Sequence, residues 1–253
     1  MLSVDLNCDM GESFGPWEMG NDAQLMNYVS SVNIACGFHA GDAATMRRTV
    51  EMAIEKGVAV GAHPGYQDLQ GFGRRPMSLS PQEIFDIVLY QISALKGICE
   101  ASGGKLRHVK PHGALYNQAA KDRPLAQAIA KAVQKIDADL IFYGLAGSFL
   151  ISEAERAGLR TASEVFADRT YRTDGSLTPR SEPNALIENT EQAISQVLQM
   201  LTSQTVTAAT GETVQIKADT ICIHGDGEHA IDFARHIRRT LDEKGIAVRD
   251  LSV

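Results

Sequence analysis

The sequence predicts an α/β protein: a distorted (β/α) barrel of about seven parallel strands in a single domain spanning 1–253. Three observations carry that expectation. The chain repeats one unit, a short apolar run, then a segment rich in Gly, Asp and His, then an amphipathic stretch. Several apolar runs are continuous rather than alternating, the pattern of parallel strands buried on both faces. Polar residues stand at the end of nearly every run. In a closed barrel all strand ends meet at one mouth, whereas an open doubly wound sheet spreads them along an edge. The length of 253 residues suits one barrel.

The elements follow in order. Apolar runs at 2–6, 31–35, 58–62, 106–109, 140–143, 159–162 and 220–223 read as strands, with 246–248 a weak eighth. A helix over 42–56 carries Met46, Val50 and Ile54 and stops at Gly57. The clearest helix covers 80–102: Ser80 caps it, Pro81 fits the first turn and Glu83 completes a capping box. Its stripe is Ile84, Ile87, Val88, Ile92, Leu95 and Cys99, and Gly103-Gly104 ends it. A fourth-unit helix begins near Asp122-Arg123-Pro124, with Leu125, Ile129, Val133 and Ile136 on one face. Helices over 147–157, 184–201 and 227–244 complete the alternation, and 205–217, within an insertion near 204–218, reads as a surface hairpin.

Composition narrows the function classes. A net charge of −7 without a clustered basic run argues against nucleic acid and anionic membrane surfaces as partners. No apolar stretch approaches the ~20 residues that span a bilayer, and the start shows no signal-peptide pattern. Cys8, Cys36, Cys99 and Cys222 are widely spaced, with no C-x-x-C pair, and read as reduced, packed thiols of a cytoplasmic protein. Neither a dinucleotide fingerprint, nor a G-x-x-x-x-G-K phosphate loop, nor a G-x-S-x-G nucleophile elbow is present.

The strand ends carry the chemistry. Alternation sets Asp5, Asn7 and Asp9 on one side of the first strand. Asn7 and Asp9 read as functional, while a turn role suits Glu12 and Ser13. Gly37 and Gly41 bracket His39 in a tight loop, with Asp42 as a helix cap. His63 leaves the third strand into a Pro-Gly turn. One such histidine is more often structural; two at equivalent positions are harder to dismiss. His108, Lys110 and His112 face one way, and a lysine inside a barrel strand is desolvated or paired, a lowered pKa making it an acid, base or anion anchor. Arg169 reads either as a clamp for a substrate carboxylate or as a solvated loop residue. Glu164, His224 and Asp226 close the ring, the last two before a helix N-terminus that favours anions. The basic loop 70–76 reads as a solvated loop, with a lid or phosphate contact as the alternative. Asp9, His63 and His112 suit a divalent metal by donor type, but their spacing is not diagnostic.

Four runs, Asp5-Leu6-Asn7-Cys8-Asp9-Met10-Gly11-Glu12, Asn33-Ile34-Ala35-Cys36-Gly37-Phe38-His39-Ala40-Gly41-Asp42, Gly61-Ala62-His63-Pro64-Gly65-Tyr66 and Val109-Lys110-Pro111-His112-Gly113-Ala114-Leu115-Tyr116, resemble those of the LamB/YcsF family. Glu164-Val165-Phe166-Ala167-Asp168-Arg169 and Leu177-Thr178-Pro179-Arg180 extend the likeness over nearly the whole chain. The resemblance implies a barrel of the glycoside hydrolase/deacetylase type and the A-subunit role in ATP-dependent 5-oxoprolinase. That enzyme opens the lactam of 5-oxo-L-proline to L-glutamate, with B and C subunits as partners and ATP, with Mg, as co-substrate. On this reading Asp9, His39, His63, Lys110 and His112 are catalytic, and Asn7, Glu12, Glu164, Arg169, His224 and Asp226 contact substrate. A bound metal is left open. The competing readings are a stand-alone metal-dependent deacetylase-like hydrolase and a non-catalytic substrate-binding subunit.

Overall fold

The computed structural model describes residues 2–223 and 230–251. Seven parallel strands form the barrel: β1 (Ser3–Met10), β2 (Ser31–Ala35), β3 (Ala59–His63), β4 (Leu106–Val109), β5 (Ile141–Leu145), β6 (Arg160–Phe166) and β9 (Thr220–Ile223). They pair in chain order, and the ring closes because β9 pairs with both β6 and β1. The weak eighth run becomes β10 (Ala247–Val248), which pairs only with Ser3 and Val4. From Asp5 onward that edge of β1 is taken by β9, so β10 is no barrel stave.

Helices cover the barrel: α1 (Asp22–Leu25), α2 (Ala43–Glu55), α3 (Pro81–Ala101), α4 (Gly113–Ala119), α5 (Arg123–Ile136), α6 (Phe149–Arg156), α7 (Thr190–Ser203) and α8 (Ala230–Glu243). Their starts obey local chemistry. Asp42 accepts from the amides of Ala44 and Thr45, and Ser80 and Glu83 form the expected capping box. The helix expected over 184–201 starts later, because Asn189 caps it and 184–189 belongs to a strap. That strap, between β6 and α7, is pinned by bridges Arg169↔Leu186 and Tyr171↔Leu177. The hairpin of β7 (Thr205–Thr207) and β8 (Thr213–Gln215) is antiparallel as expected. It is not merely superficial, since Val206 and Ile216 join the main core. None of the described helices is long and apolar enough to cross a membrane.

The core lies outside the ring of strands. Val4, Leu6, Cys8 and Met10 on β1 point outward and belong to one apolar core with Val32 and Ile34 on β2 and Ile84, Val88 and Ile92 on α3. The alternate residues point into the bore, which is polar. Asp5 accepts from Ser30, Ser31 and Thr220; Asn7 donates to Thr220 and Glu164. Asn33 donates to Asn7 and Asp9 and accepts from His108 Nε2. Satisfied networks of this kind hold a unique arrangement, whereas a broken one strands buried polar atoms. The strand-end reading of Asn7 and Glu164 is therefore corrected: β1 and β6 run further than their apolar stretches, and both side chains are fully buried within the bore.

Gly61 on β3 makes room for this filling. A Cβ there would lie 2.0 Å from His108 Nε2. Gly61→Ala is expected to destabilise by at least about 1–3 kcal/mol, the usual range for overpacking. Gly97→Ala, toward the C-terminal end of α3 with open space around it, is expected to stabilise by up to about 0.5–1 kcal/mol. Urea denaturation of the two variants checks both signs.

Candidate active site

A cavity of about 590 Å³ opens at the carboxyl ends of the strands. Its floor carries Asp9, Glu12, His63, Lys110 and His112; its rim carries Arg74, Lys121, Arg169 and Arg180. The fourth strand shows how local pattern places these groups. Alternation sends His108 into the bore and Lys110 above it, and His112 then precedes α4 at the mouth.

Lys110 is 3% exposed, and its Nζ meets four acceptors. They are Asp9 Oδ1 at 2.9 Å, Glu164 Oε1 at 2.9 Å, Cys222 Sγ at 3.1 Å and Asn7 Oδ1 at 3.3 Å. Burial alone would lower its pKa, the direction expected from sequence. Asp9, the Cys222 sulfur as an acceptor, and Glu164 together outweigh burial and hold the ammonium well above the ordinary lysine value. An ammonium has three donors, and all are committed. The lowered pKa expected of Lys110 is therefore corrected: its neighbours hold it as a fixed cation.

Asp9 benefits from that cation. Burial opposes its ionisation, but His63 and Lys110 overcome it and hold the carboxyl well below the usual range. Its Oδ2 lies 3.2 Å from His63 Nε2. Glu164, fully buried, also accepts from Tyr116 Oη at 2.7 Å. Asn7 and Glu164 are not among the residues lining the cavity. Expected as substrate contacts, they reach it through Lys110 and, for Glu164, Tyr116, both of which line it.

The histidines cluster beside Asp9. His39 stacks on His112 with ring centroids 3.7 Å apart and an interplanar angle of 3°. His63 meets His39 edge-on at 5.4 Å. Burial, reinforced by His63, pushes His112 down to about 3; burial, with His112 and His63, holds His39 well below its ordinary value. Both are neutral bases at physiological pH. Glu12 joins them, its Oε1 3.4 Å from His39 Nε2 and 3.8 Å from His112 Nδ1. Glu12, expected as a substrate contact, thus lines the cavity and stands against the imidazole cluster as well.

The loop 68–75 is built rather than slack. Buried Asp68 accepts from the Gly71 amide and pairs with Arg75. Phe72 is left-handed at φ 55°, and its carbonyl accepts from His112 Nε2 at 2.8 Å. Gly73 follows at φ 62°; a Cβ there would come within 2.7 Å of His39 Cβ and 2.8 Å of His112 Cδ2. The solvated-loop reading of 70–76 gives way to a wall closed over the histidines, with Arg74 at its edge.

Arg169 is buried, donating to the Ala185 and Thr178 carbonyls of the strap while lining the cavity. Burial, with Arg180 nearby, lowers it to about 10, so it stays charged. The fold thus brings Asp9, Glu12, His39, His63, Lys110 and His112 together and sets Arg169 above them. His224 and Asp226 lie outside the described residues. Sequence reasoning missed Asn33, Tyr116 and Arg180. Asn33 carried a signal, the same two-residue alternation on β2 that singled out Asn7 on β1.

The LamB/YcsF family model matches residues 4–253. The A subunit of 5-oxoprolinase from Tolumonas auensis is 61% identical over 249 residues, covering 98% of this chain and 99% of the relative. A lactam utilization protein of Thermus thermophilus, solved by crystallography, superposes with a TM-score of 0.93 at 46% identity, covering 98% of this chain and 99% of that one. The peptidoglycan deacetylase PdaC of Bacillus subtilis, in its D285S mutant form, superposes with a TM-score of 0.50 at 12% identity over 99% of this chain and 88% of that one. That last likeness concerns the fold alone, and it matches the barrel type expected from sequence.

Proposed function

The chain belongs to the LamB/YcsF family, and on that premise we propose that it is the A-type subunit of an ATP-dependent 5-oxoprolinase, a hydrolase that opens 5-oxo-L-proline to L-glutamate. The observation that carries the reading is the division of one cavity into an acid–base floor and a cationic rim. An amide resists water because resonance lowers the electrophilicity of its carbon. Transfer of the ATP γ-phosphoryl group to the lactam oxygen removes that protection. One water then adds to the activated carbon, the C–N bond breaks as the ring nitrogen takes a proton, and a second water releases phosphate.

This chain's residues fit the steps after activation. Asp9, kept ionised by His63 and Lys110, lines the floor with His63 and His112, where a water can lose a proton and the departing nitrogen can gain one. Arg74, Lys121, Arg169 and Arg180 face the same space and match a carboxylate and a phosphoryl group in charge. B and C subunits are the proposed partners, and ATP with Mg the co-substrate of the assembled enzyme. Four buried, free thiols support a reducing compartment such as the cytoplasm.

The test is glutamate release from 5-oxo-L-proline by the chain mixed with B- and C-type subunits. Turnover is expected only with all three subunits and ATP. Turnover by this chain alone, lost to a chelator and indifferent to ATP, would instead establish the stand-alone metal hydrolase.

A further inference from the structure

The hydrogen bonds of two histidines leave a positive charge missing between them. His63 Nδ1 lies 2.7 Å from the Lys110 carbonyl oxygen, and His112 Nε2 lies 2.8 Å from the Phe72 carbonyl oxygen. A carbonyl only accepts, so each of those nitrogens carries its ring's proton. In the neutral rings the remaining nitrogens, His63 Nε2 and His112 Nδ1, are then lone pairs, yet they face each other at 3.0 Å. Asp9 Oδ2, a third acceptor, is 3.2 Å from His63 Nε2. Two lone pairs at this distance repel unless a cation sits beside them.

A third ring stands at the same point. His39 is fully buried, and neither of its nitrogens has a hydrogen-bond partner among the described residues. Its Nε2 is directed toward the Glu12 carboxylate. Donor atoms of Glu12, His39, His63 and His112 all lie within 4.8 Å of one another. Ligands of a tetrahedral ion with bonds of about 2.1 Å lie about 3.4 Å apart, so side-chain rotations that draw the donors in by about an ångström and tilt the parallel His39 and His112 rings close the set. Backbone carbonyls holding the far nitrogens are the usual outer partners that orient metal-ligating imidazoles.

We propose that Glu12, His39, His63 and His112 form a binding site for one divalent transition-metal ion. Three imidazoles and a carboxylate suit zinc, manganese, iron or cobalt rather than calcium or magnesium. Burial keeps His39 and His112 neutral, the form that coordinates. An ion here would supply a Lewis acid for a carbonyl or phosphoryl oxygen at the cavity floor. The site is defined by side-chain geometry and is independent of the identity of the substrate.

The experiment uses the full chain, stripped with a chelator, and titrates it with Zn²⁺ and Co²⁺. A single ion retained per chain by elemental analysis is expected, with visible ligand-field absorption for Co²⁺ and a rise in Tm with Zn²⁺. His39→Asn removes a ligand without breaking a hydrogen bond of the apo protein, and is expected to weaken binding by more than about 100-fold, beyond the range for loss of an outer-shell partner. Absence of retained metal, Co²⁺ absorption and Tm shift in the parent would overturn the proposal in favour of a proton shared by His63 and His112. Equal binding by parent and His39→Asn would also overturn it, as surface binding. Should the variant fail to fold, the parent's Co²⁺ spectrum decides: nitrogen-rich coordination supports the site, and oxygen-only coordination overturns it.

Discussion

Lys110→Met is expected to abolish glutamate release by the assembled enzyme and to lower stability by about 3–5 kcal/mol, the range for breaking a buried ion pair from one side. The size follows from what the ammonium leaves behind. Asp9 Oδ1 and Glu164 Oε1 both lie 2.9 Å from Nζ in a site that is 3% exposed at the lysine. Without the cation, two carboxylates share a water-poor bore, and one must bind a proton or the strands must part. Denaturant unfolding reads the stability, and the three-subunit assay reads the turnover. Adding Glu164→Gln to Lys110→Met removes one stranded charge, so the pair of changes is expected to recover part of the stability and none of the activity. Unchanged stability in Lys110→Met would mean that the ion pairs contribute nothing net. Restored turnover in the double variant would remove the ammonium from the chemistry.

Asp9→Asn is expected to lower turnover by about 10²–10⁴-fold, the usual worth of a positioned acid–base group, with a smaller cost in stability than Lys110→Met. The amide oxygen can still accept from Asn33 Nδ2 and Lys110 Nζ, bonds that Asp9 Oδ1 makes at 2.9 Å each. What disappears is the negative charge beside His63 and the capacity to take a proton. Steady-state kinetics with saturating ATP separates the outcomes. A fall in kcat with unchanged KM places Asp9 in the chemical step, whereas a rise in KM alone would make it a binding residue.

Much of the fold was legible because its signals are local. Ser80, Pro81 and Glu83 specify a helix start through their own hydrogen bonds, and the apolar stripe behind them matches a 3.6-residue period. The site was legible in its membership, since His108, Lys110 and His112 must share a side of an extended segment. Its depth was not. An apolar run ends where sequence hydrophobicity ends, but β1 continues to Met10 and β6 to Phe166 because neighbouring strands pair with them. Asn7 and Glu164 consequently fill the bore instead of rimming the mouth. The 184–189 stretch misled for a related reason: its helical pattern is overruled by Arg169↔Leu186 pairing in the strap.

The sequence by itself determined which side chains could meet. The pleat of a strand directs alternate residues to one face, and glycines at 61 and 73 leave the volume that the histidines occupy. Only the tertiary structure decided what those side chains are chemically. Lys110 takes its charge state from Asp9, 101 residues away, and from Glu164 on β6, because these carboxylates outweigh the cost of burial. His63 and His112 take their tautomers from the carbonyls of Lys110 and Phe72, the second supplied by a loop 40 residues upstream. Protonation and tautomer depend on through-space electrostatics among buried side chains, and barrel closure is what sets those distances.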